Sequence, residues 1–144
     1  MKRKGLIWFG CVVMMIAAAS CATTSSEKNK REAEASRRLG EAYLQQGNFA
    51  SALKEFKKAE SKNPDDHLLQ YDLGLLYAFK ERYDEAIVHY KKALELSPNY
   101  GAAMNSLANA YAGKKEWDEA IYYYRKVIND ILYATPHFAY TGLG

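Results

Sequence analysis

Large apolar residues recur along this chain at a fixed interval of 34 residues. Leu39, Leu73 and Leu107 are each followed by a small residue and, four places after the leucine, by a tyrosine. In every block an alanine follows that tyrosine by nine places, and an aromatic residue follows the alanine by four. Residues four places apart lie on the same face of a helix. The pattern therefore predicts three successive pairs of helices.

The three blocks align without gaps and cover residues 33–66, 67–100 and 101–134. Gly40 and Gly74 stand at the same place in the first helix of two blocks. Glycine in a helix interior costs about 1 kcal/mol relative to alanine. Its repetition therefore predicts a close approach of the paired helices that a side chain would block.

Turn and stop residues separate the predicted helices. Gly47 and Asn48 can end the first helix in a left-handed turn. Pro64 and Pro98 would stop the second helix of their blocks, whereas Leu132 stands at the proline place of the third block. Each block is thus predicted to be a helix–turn–helix unit, and the fold class is all-α.

The repeated residues resemble the signature of the tetratricopeptide repeat. The matching places hold Leu39, Gly40, Tyr43, Ala52, Phe56, Ala59 and Pro64; then Leu73, Gly74, Tyr77, Ala86, Tyr90, Ala93 and Pro98; then Leu107, Ala108, Tyr111, Ala120, Tyr124 and Val127. The tryptophan usual in this family is absent, and Ser36, Gln70 and Met104 stand in its place. The resemblance implies a helical solenoid of about three repeats, over residues 31–136, whose first helices line a concave face that binds proteins.

The start of the chain has the order of a bacterial lipoprotein signal. Three cations in Met1–Lys4 precede an uncharged run, Gly5–Ala19, that ends in small residues before Cys21. Fifteen helical residues span roughly 22 Å, which is short of the roughly 30 Å hydrocarbon core of a bilayer. The small residues before Cys21 resemble a lipobox, which implies that residues 1–20 are removed and that Cys21 is acylated. Cys11 lies too close to the cations to be the acylated residue. The alternative to a cleaved signal is an uncleaved helix that anchors the protein in the membrane.

Removal of the signal changes the charge of the chain. The formal net charge of +3 comes entirely from the signal, so the remaining residues carry 17 basic and 17 acidic side chains. The remaining chain has no excess of basic residues that would indicate nucleic-acid binding. Because its one remaining cysteine would be acylated, no thiol is left to form a disulfide. Residues 21–30 are polar and predict a flexible tether between lipid and domain.

One helix of the second block carries two apolar stripes. Leu73, Leu76 and Tyr77 supply the core stripe, so the other stripe predicts an exposed groove for a protein or peptide ligand, although the same spacing would also suit additional core. The predicted groove comprises Leu68, Tyr71, Leu75 and Phe79, flanked by Arg37 and Glu41 on one side and by Asn105 and Asn109 on the other. A carboxylate clamp is not matched, since Glu41 and Leu68 occupy places that need asparagine and lysine.

Catalytic chemistry finds no support in the sequence. His67, His89 and His137 fall in three separate predicted segments, and the sequence contains no metal-binding or phosphate-binding motif. Acidic pairs such as Asp84-Glu85 stand at predicted helix starts, where they favour the helix dipole. We therefore expect no enzyme, no metal, no cofactor and no small-molecule substrate.

The last residues carry a second resemblance. Leu143-Gly144 looks like the opening of a fourth repeat, which we place at residues 137–144. We therefore expect either that the chain is a fragment of a longer protein or that a partner covers this end of the stack. The segment Ile128–Gly144, with Asp130-x-Leu132-Tyr133 and then Pro136, resembles an insertion in type IV pilus pilotin lipoproteins. That resemblance implies an outer-membrane lipoprotein, facing the periplasm of a bacterial cell envelope, that helps the pilus secretin assemble. The alternatives are an NlpI-like scaffold for cell-wall enzymes and an accessory region of a larger enzyme.

Overall fold

The computed structural model describes the backbone of residues 4–134 and the side chains of residues 25–129. Residues 4–134 form helices and turns with no strand, which confirms the predicted all-α class. The helices are α1 (Lys4–Gln45), α2 (Phe49–Lys62), α3 (His67–Phe79), α4 (Tyr83–Leu96), α5 (Gly101–Gly113) and α6 (Trp117–Ala134).

Each helix packs mainly on the helix before it and the helix after it. The pairs α1/α2, α3/α4 and α5/α6 are the three predicted helix–turn–helix units, and α2/α3 and α4/α5 join one unit to the next. The first helices also touch in order, α1 with α3 and α3 with α5. The three units therefore form a stack in which α1, α3 and α5 share one side. The start of a fourth unit, predicted for residues 137–144, lies outside the described residues.

Close packing at the two glycines confirms the prediction made for them. A Cβ atom on Gly40 would come within 2.5 Å of the Phe56 ring, and one on Gly74 within 2.4 Å of the Tyr90 ring. Both rings are fully buried between the paired helices. The alanines Ala52 and Ala86, which face the same contacts, are also fully buried.

A residue with positive φ follows the first helix of every unit, again at an interval of 34 residues. Gly47 has φ 72°, as the sequence predicted, and the equivalent residues Glu81 and Lys115 have φ 57° and 64°. Glycine enters this left-handed region freely, whereas other L-residues do so at a cost. Two of the three turns therefore hold a side chain in a region that favours glycine.

The prolines act as predicted on the second helices. Helices α2 and α4 end two residues before Pro64 and Pro98, since proline disfavours helical backbone in the residue that precedes it. Leu132 imposes no such stop, and α6 continues through it to Ala134. The absence of one proline thus makes α6 four residues longer than α2 and α4, which have 14 residues each against its 18.

Gln70 shows what replaces the tryptophan that the family usually has. Its side chain is fully buried, and its amide nitrogen donates to the Pro64 carbonyl oxygen at 3.1 Å. Its amide oxygen lies 2.8 Å from His89 Nδ1, which can donate to it. The His89 ring also stacks on Tyr77 at a centroid distance of 5.3 Å. Polar contacts therefore tie α3 to α4 and to the turn before it, where a large ring would otherwise fill space.

The two ends of the stack are less covered than its middle. Leu73 and Leu107 are fully buried against the preceding unit, but the equivalent Leu39 is 45% exposed because no earlier unit precedes it in the described chain. At the other end, Ile121 is 46% exposed, although the equivalent Ile87 is only 7% exposed under α5. Among residues 25–129, the exposed ends thus hold residues that are core elsewhere.

Helix α1 extends well upstream of the first repeat. It passes without a break through residues 21–30, which their composition predicted to be a flexible tether. The ion pair between Lys28 and Glu32, four residues apart at 3.9 Å, supports helix in this stretch. The side chains of residues 25–30 are exposed. The side chain of Cys21 and those of the predicted signal lie outside the described residues, and no helix described here is long and apolar enough to cross a membrane.

Candidate functional site

Two cavities open on the side of the stack shared by α1, α3 and α5. The first has a volume of about 560 Å³ and lies between α1 and α3, where it is lined by Glu41, Leu44, Gln45, Gly47, Phe49, Tyr71, Asp72, Leu75 and Phe79. The second, of about 310 Å³, lies between α3 and α5 and is lined by Leu75, Ala78, Phe79, Tyr83, Tyr90, Ser106, Asn109 and Ala110. Because both cavities include Leu75 and Phe79, we describe them together as the groove.

The groove brings together five of the eight residues that the sequence placed there. Glu41, Tyr71, Leu75 and Phe79 line the first cavity, and Asn109 joins Leu75 and Phe79 in the second. The other three residues line neither cavity. Leu68 is half-buried at the start of α3, Asn105 is exposed on α5, and Arg37 is buried on α1.

The stripe on α3 is neither wholly core nor wholly exposed. Tyr71 and Leu75 are half-buried and pack against the core of the second and third units. The Tyr71 ring lies 5.9 Å from that of Tyr90 and 5.2 Å from that of Tyr100, measured between centroids. Phe79 is 63% exposed, and its ring stacks on Phe49 at 6.2 Å. Tyr71 and Leu75 thus form a well-packed floor of the groove, and at its end the exposed ring of Phe79 stacks on Phe49.

Arg37 lies beneath the first cavity in a network of carboxylates. The residue is 8% exposed. Its Nη1 atom donates to Glu41 Oε1 at 2.5 Å and to Asp72 Oδ2 at 3.0 Å, and its Nε lies 3.7 Å from Asp66 Oδ2. One guanidinium therefore meets three carboxylates, which leaves an excess of negative charge in this part of the groove. The same contacts link the first unit to the second.

Asp72 is a site residue that the sequence analysis did not identify. It is buried, and burial raises the pKa of its carboxyl group to about 7 even though the hydrogen bond from Arg37 acts in the opposite direction. The neighbouring charge of Glu41 raises this pKa further. One signal was present in the sequence, since Asp72 is the only acid in helix α3, most of whose residues are apolar. The repeat alignment hid it, because the equivalent places hold Arg38 and Ser106.

Equivalent places in the three units give three different chemistries to the side of the stack that holds the groove, where Arg37 and Asn105 lie outside the two cavities. The first unit contributes a charged pair, the second an apolar pair and the third an amide pair, which are Arg37 and Glu41, Tyr71 and Leu75, and Asn105 and Asn109. The amide oxygen of Asn109 accepts a hydrogen bond from the Tyr124 hydroxyl at 2.5 Å, which fixes its orientation. This side of the stack therefore changes from acidic beside α1 to apolar along α3 and to amide on α5.

The described residues do not bring together a metal site. In residues 25–129, no group of three or more His, Cys, Asp and Glu side chains is arranged to hold a metal ion. His67 and His89 lie on different helices, α3 and α4, and His137 lies outside the described part of the chain. The groove chemistry is that of a binding surface built from rings, aliphatic groups, carboxylates and amides.

Family models place the chain among known repeats. Two models described as tetratricopeptide repeat match it, one over residues 33–66 and one over residues 65–129. Together they match more than half of the chain, so the protein belongs to the tetratricopeptide repeat family. No curated protein matches this chain.

Solved structures share the fold. A crystal structure of MamA is 29% identical with a TM-score of 0.69, and the alignment covers 74% of this chain and 62% of that one. The chain therefore spans less than two thirds of the MamA chain. The TPR2B domain of yeast Sti1, in a complex with pHsp70, is 23% identical with a TM-score of 0.69 and coverages of 74% and 85%. The second repeat domain of Spaghetti (RPAP3), bound to the HSP90 peptide SRMEEVD, is 20% identical with a TM-score of 0.67 and coverages of 70% and 94%.

Proposed function

We propose that this protein is an interaction scaffold that binds a segment of a partner protein along the groove. The exposure of Phe79 carries this proposal, because a large ring that is 63% exposed lines both cavities together with the half-buried Leu75. Exposed apolar surface that adjoins concave, well-packed walls is typical of protein-binding sites. Aromatic residues also dominate the affinity of many such interfaces.

The fold is compatible with this use. The similar domains of RPAP3 and yeast Sti1 are described with an HSP90 peptide and with pHsp70 bound. Their likeness to this chain establishes the fold alone, and the groove of this chain has its own chemistry. Apolar burial along it would stabilise a complex by about 25 cal/mol per Å² of buried area.

Replacement of Tyr71 and Phe79 by serine tests the groove directly. We expect the double variant to keep its helical content, measured by circular dichroism, and to lose the partners that copurify with the wild-type protein. Tyr122→Ser is the matched control, since Tyr122 is 60% exposed on α6 and lies outside both groove cavities. Retained binding by a folded double variant would place the site elsewhere. An unfolded double variant would show that the stripe is core.

We further propose, from the sequence resemblances, that the scaffold is lipid-anchored at Cys21 in the outer membrane, faces the periplasm and takes part in type IV pilus secretin assembly. Mass spectrometry of partners that copurify from detergent-solubilised membranes tests this assignment. Recovery of the secretin, lost in the Tyr71→Ser/Phe79→Ser variant, would support it. Recovery of cell-wall enzymes instead would favour the NlpI-like alternative.

A further inference from the structure

The charge distribution within the groove points to the chemistry of its occupant. The first cavity is lined by two carboxylates, Glu41 and Asp72, and by no cationic side chain. Arg37 is the cation nearest to them, and it is already shared with Asp66 as well. The second cavity is lined by neutral residues alone.

From this asymmetry we infer that the groove selects a peptide segment with a lysine or arginine for the first cavity and a large apolar side chain for the second. This inference rests on the proposed function and specifies the class of partner. The aliphatic stem of the basic residue would lie along Leu44 and Leu75, and its charge would reach Glu41, whose side chain is 36% exposed. Long basic side chains commonly bury their stems in this way.

The distance between neighbouring helices sets the spacing between the basic and the apolar side chain of the peptide, which we call its two anchors. The cavities lie on either side of α3 and meet at Leu75 and Phe79. Packed helix axes are about 8–10 Å apart, and an extended chain rises about 3.3 Å per residue. The basic and apolar anchors should therefore be about three residues apart. Asn109, which lines the second cavity, offers its amide nitrogen to the peptide backbone, since its amide oxygen already accepts a hydrogen bond from Tyr124.

An acidic occupant is disfavoured by the same contacts. A carboxylate in the first cavity would meet Glu41 and Asp72 without a free cation to receive it, and like charges brought together in an interface reduce affinity. The groove therefore differs in charge from one that would grip a peptide such as SRMEEVD, which carries three acidic residues and a single arginine.

Selection from a random dodecapeptide display library on the purified full chain tests the inference. We expect enrichment of peptides in which lysine or arginine stands two to four places from leucine, methionine or phenylalanine. The Glu41→Gln variant should lose the basic preference but keep the apolar one, and a selected peptide should bind it about tenfold more weakly by fluorescence anisotropy. Glu34→Gln is the matched control, because Glu34 pairs with Arg38 on the same helix outside the groove.

The outcomes separate this inference from the proposed function. Enrichment of acidic or uncharged peptides whose binding still requires Tyr71 and Phe79 would overturn the charge selectivity and leave the groove as the binding site. Peptides that bind the Tyr71→Ser/Phe79→Ser variant as well as the wild type would overturn both. A selection that enriches no peptide, from a protein folded by circular dichroism, would overturn the inference. Equal weakening by Glu41→Gln and Glu34→Gln would show a general charge effect only.

Discussion

At the scale of single residues, the contact between glycine and an aromatic ring fixes the distance between paired helices. Tyr90 fills the space that Gly74 leaves open and is fully buried. The ring is also neighbour to Tyr71 in the groove floor, 5.9 Å away. The same side chain therefore supports both the core of the second unit and the shape of the candidate site.

Truncation of Tyr90 to alanine should be strongly destabilising. Loss of a buried aromatic side chain typically costs about 3–5 kcal/mol, which is a large part of the roughly 5–15 kcal/mol that stabilises a small domain. We expect a marked fall in the chemical-denaturation midpoint, with Tyr122→Ala, an exposed tyrosine, close to wild type. A Tyr90→Ala midpoint that matches the wild type would contradict the assigned helix pairing.

Asp72 should make stability depend on pH in the direction opposite to most carboxylates. Its pKa rises from the usual 3.8 to about 7 on folding, so between these values the folded chain holds a proton that the unfolded chain has lost. Stability from this group therefore falls as the pH rises from about 4 to about 7. Glu41 and Arg37 face the group from α1, and Asp66 also contacts Arg37.

Denaturation of the wild type and of Asp72→Asn at pH 4.5, 6 and 7.5 measures this effect. The informative quantity is the difference in unfolding free energy between the wild type and Asp72→Asn at each pH. Other carboxylates, such as Glu60 beside Lys57, have a lowered pKa and make the stability of both proteins rise with pH. We expect the wild type to lose stability relative to Asp72→Asn as the pH rises. A constant or opposite difference would show that Arg37 keeps Asp72 ionised in the folded protein.

At the scale of elements, the turns after α1, α3 and α5 show how a repeat can keep a conformation while changing the residue. Gly47 suits its positive φ, whereas Glu81 and Lys115 adopt the same region with side chains. Neither of these two side chains takes part in an ion pair among the described residues. The backbone hydrogen bond that closes the turn is the same in all three units, from Asn48, Arg82 and Glu116 to Tyr43, Tyr77 and Tyr111. The conformation therefore does not require glycine or an ion pair at this place.

Substitutions at these turns should shift stability in opposite directions. We expect Lys115→Gly to raise the free energy of unfolding by about 0.5–1 kcal/mol, because relief of the left-handed conformation exceeds the entropy gained by the unfolded chain. Gly47→Ala should lower it by about 1 kcal/mol. Thermal and chemical denaturation of both variants would check this. A shift of the same sign in both would argue against a shared left-handed turn.

The sequence predicted the elements better than the site. Periodicity and proline placement predicted the three helix pairs, because both act through near neighbours in the chain. The greater length of α6 was not predicted, although Leu132 stands at the proline place. The burial of Arg37 was not predictable, because it depends on Asp66, which caps the start of α3, and on Asp72 in the next unit. The exposure of Leu39 was missed for a related reason. The repeat alignment suggests that Leu39 is buried like Leu73 and Leu107. A leucine at this position is buried only where another unit packs over it.

At the scale of the whole molecule, the proposed lipid anchor at Cys21 can be tested by a single substitution. We expect Cys21→Ser to abolish labelling by a palmitate analogue and to release the protein from the membrane fraction. One acyl chain gives only marginal membrane binding, whereas two or three chains hold a protein firmly. Cys11→Ser is the matched control and should change neither result. Labelling that survives Cys21→Ser would contradict the proposed anchor.

The contact pattern of the stack also sets the order in which the molecule can be built. Each helix packs mainly on its neighbours in the chain, so most contacts close short loops, and chains of this kind fold quickly and from more than one starting point. The first cavity takes its lining from α1, α3, the turn between α1 and α2, and Phe49 at the start of α2. A chain that emerges from its amino terminus can therefore complete the acidic half of its groove while α5 and α6 are still being synthesised.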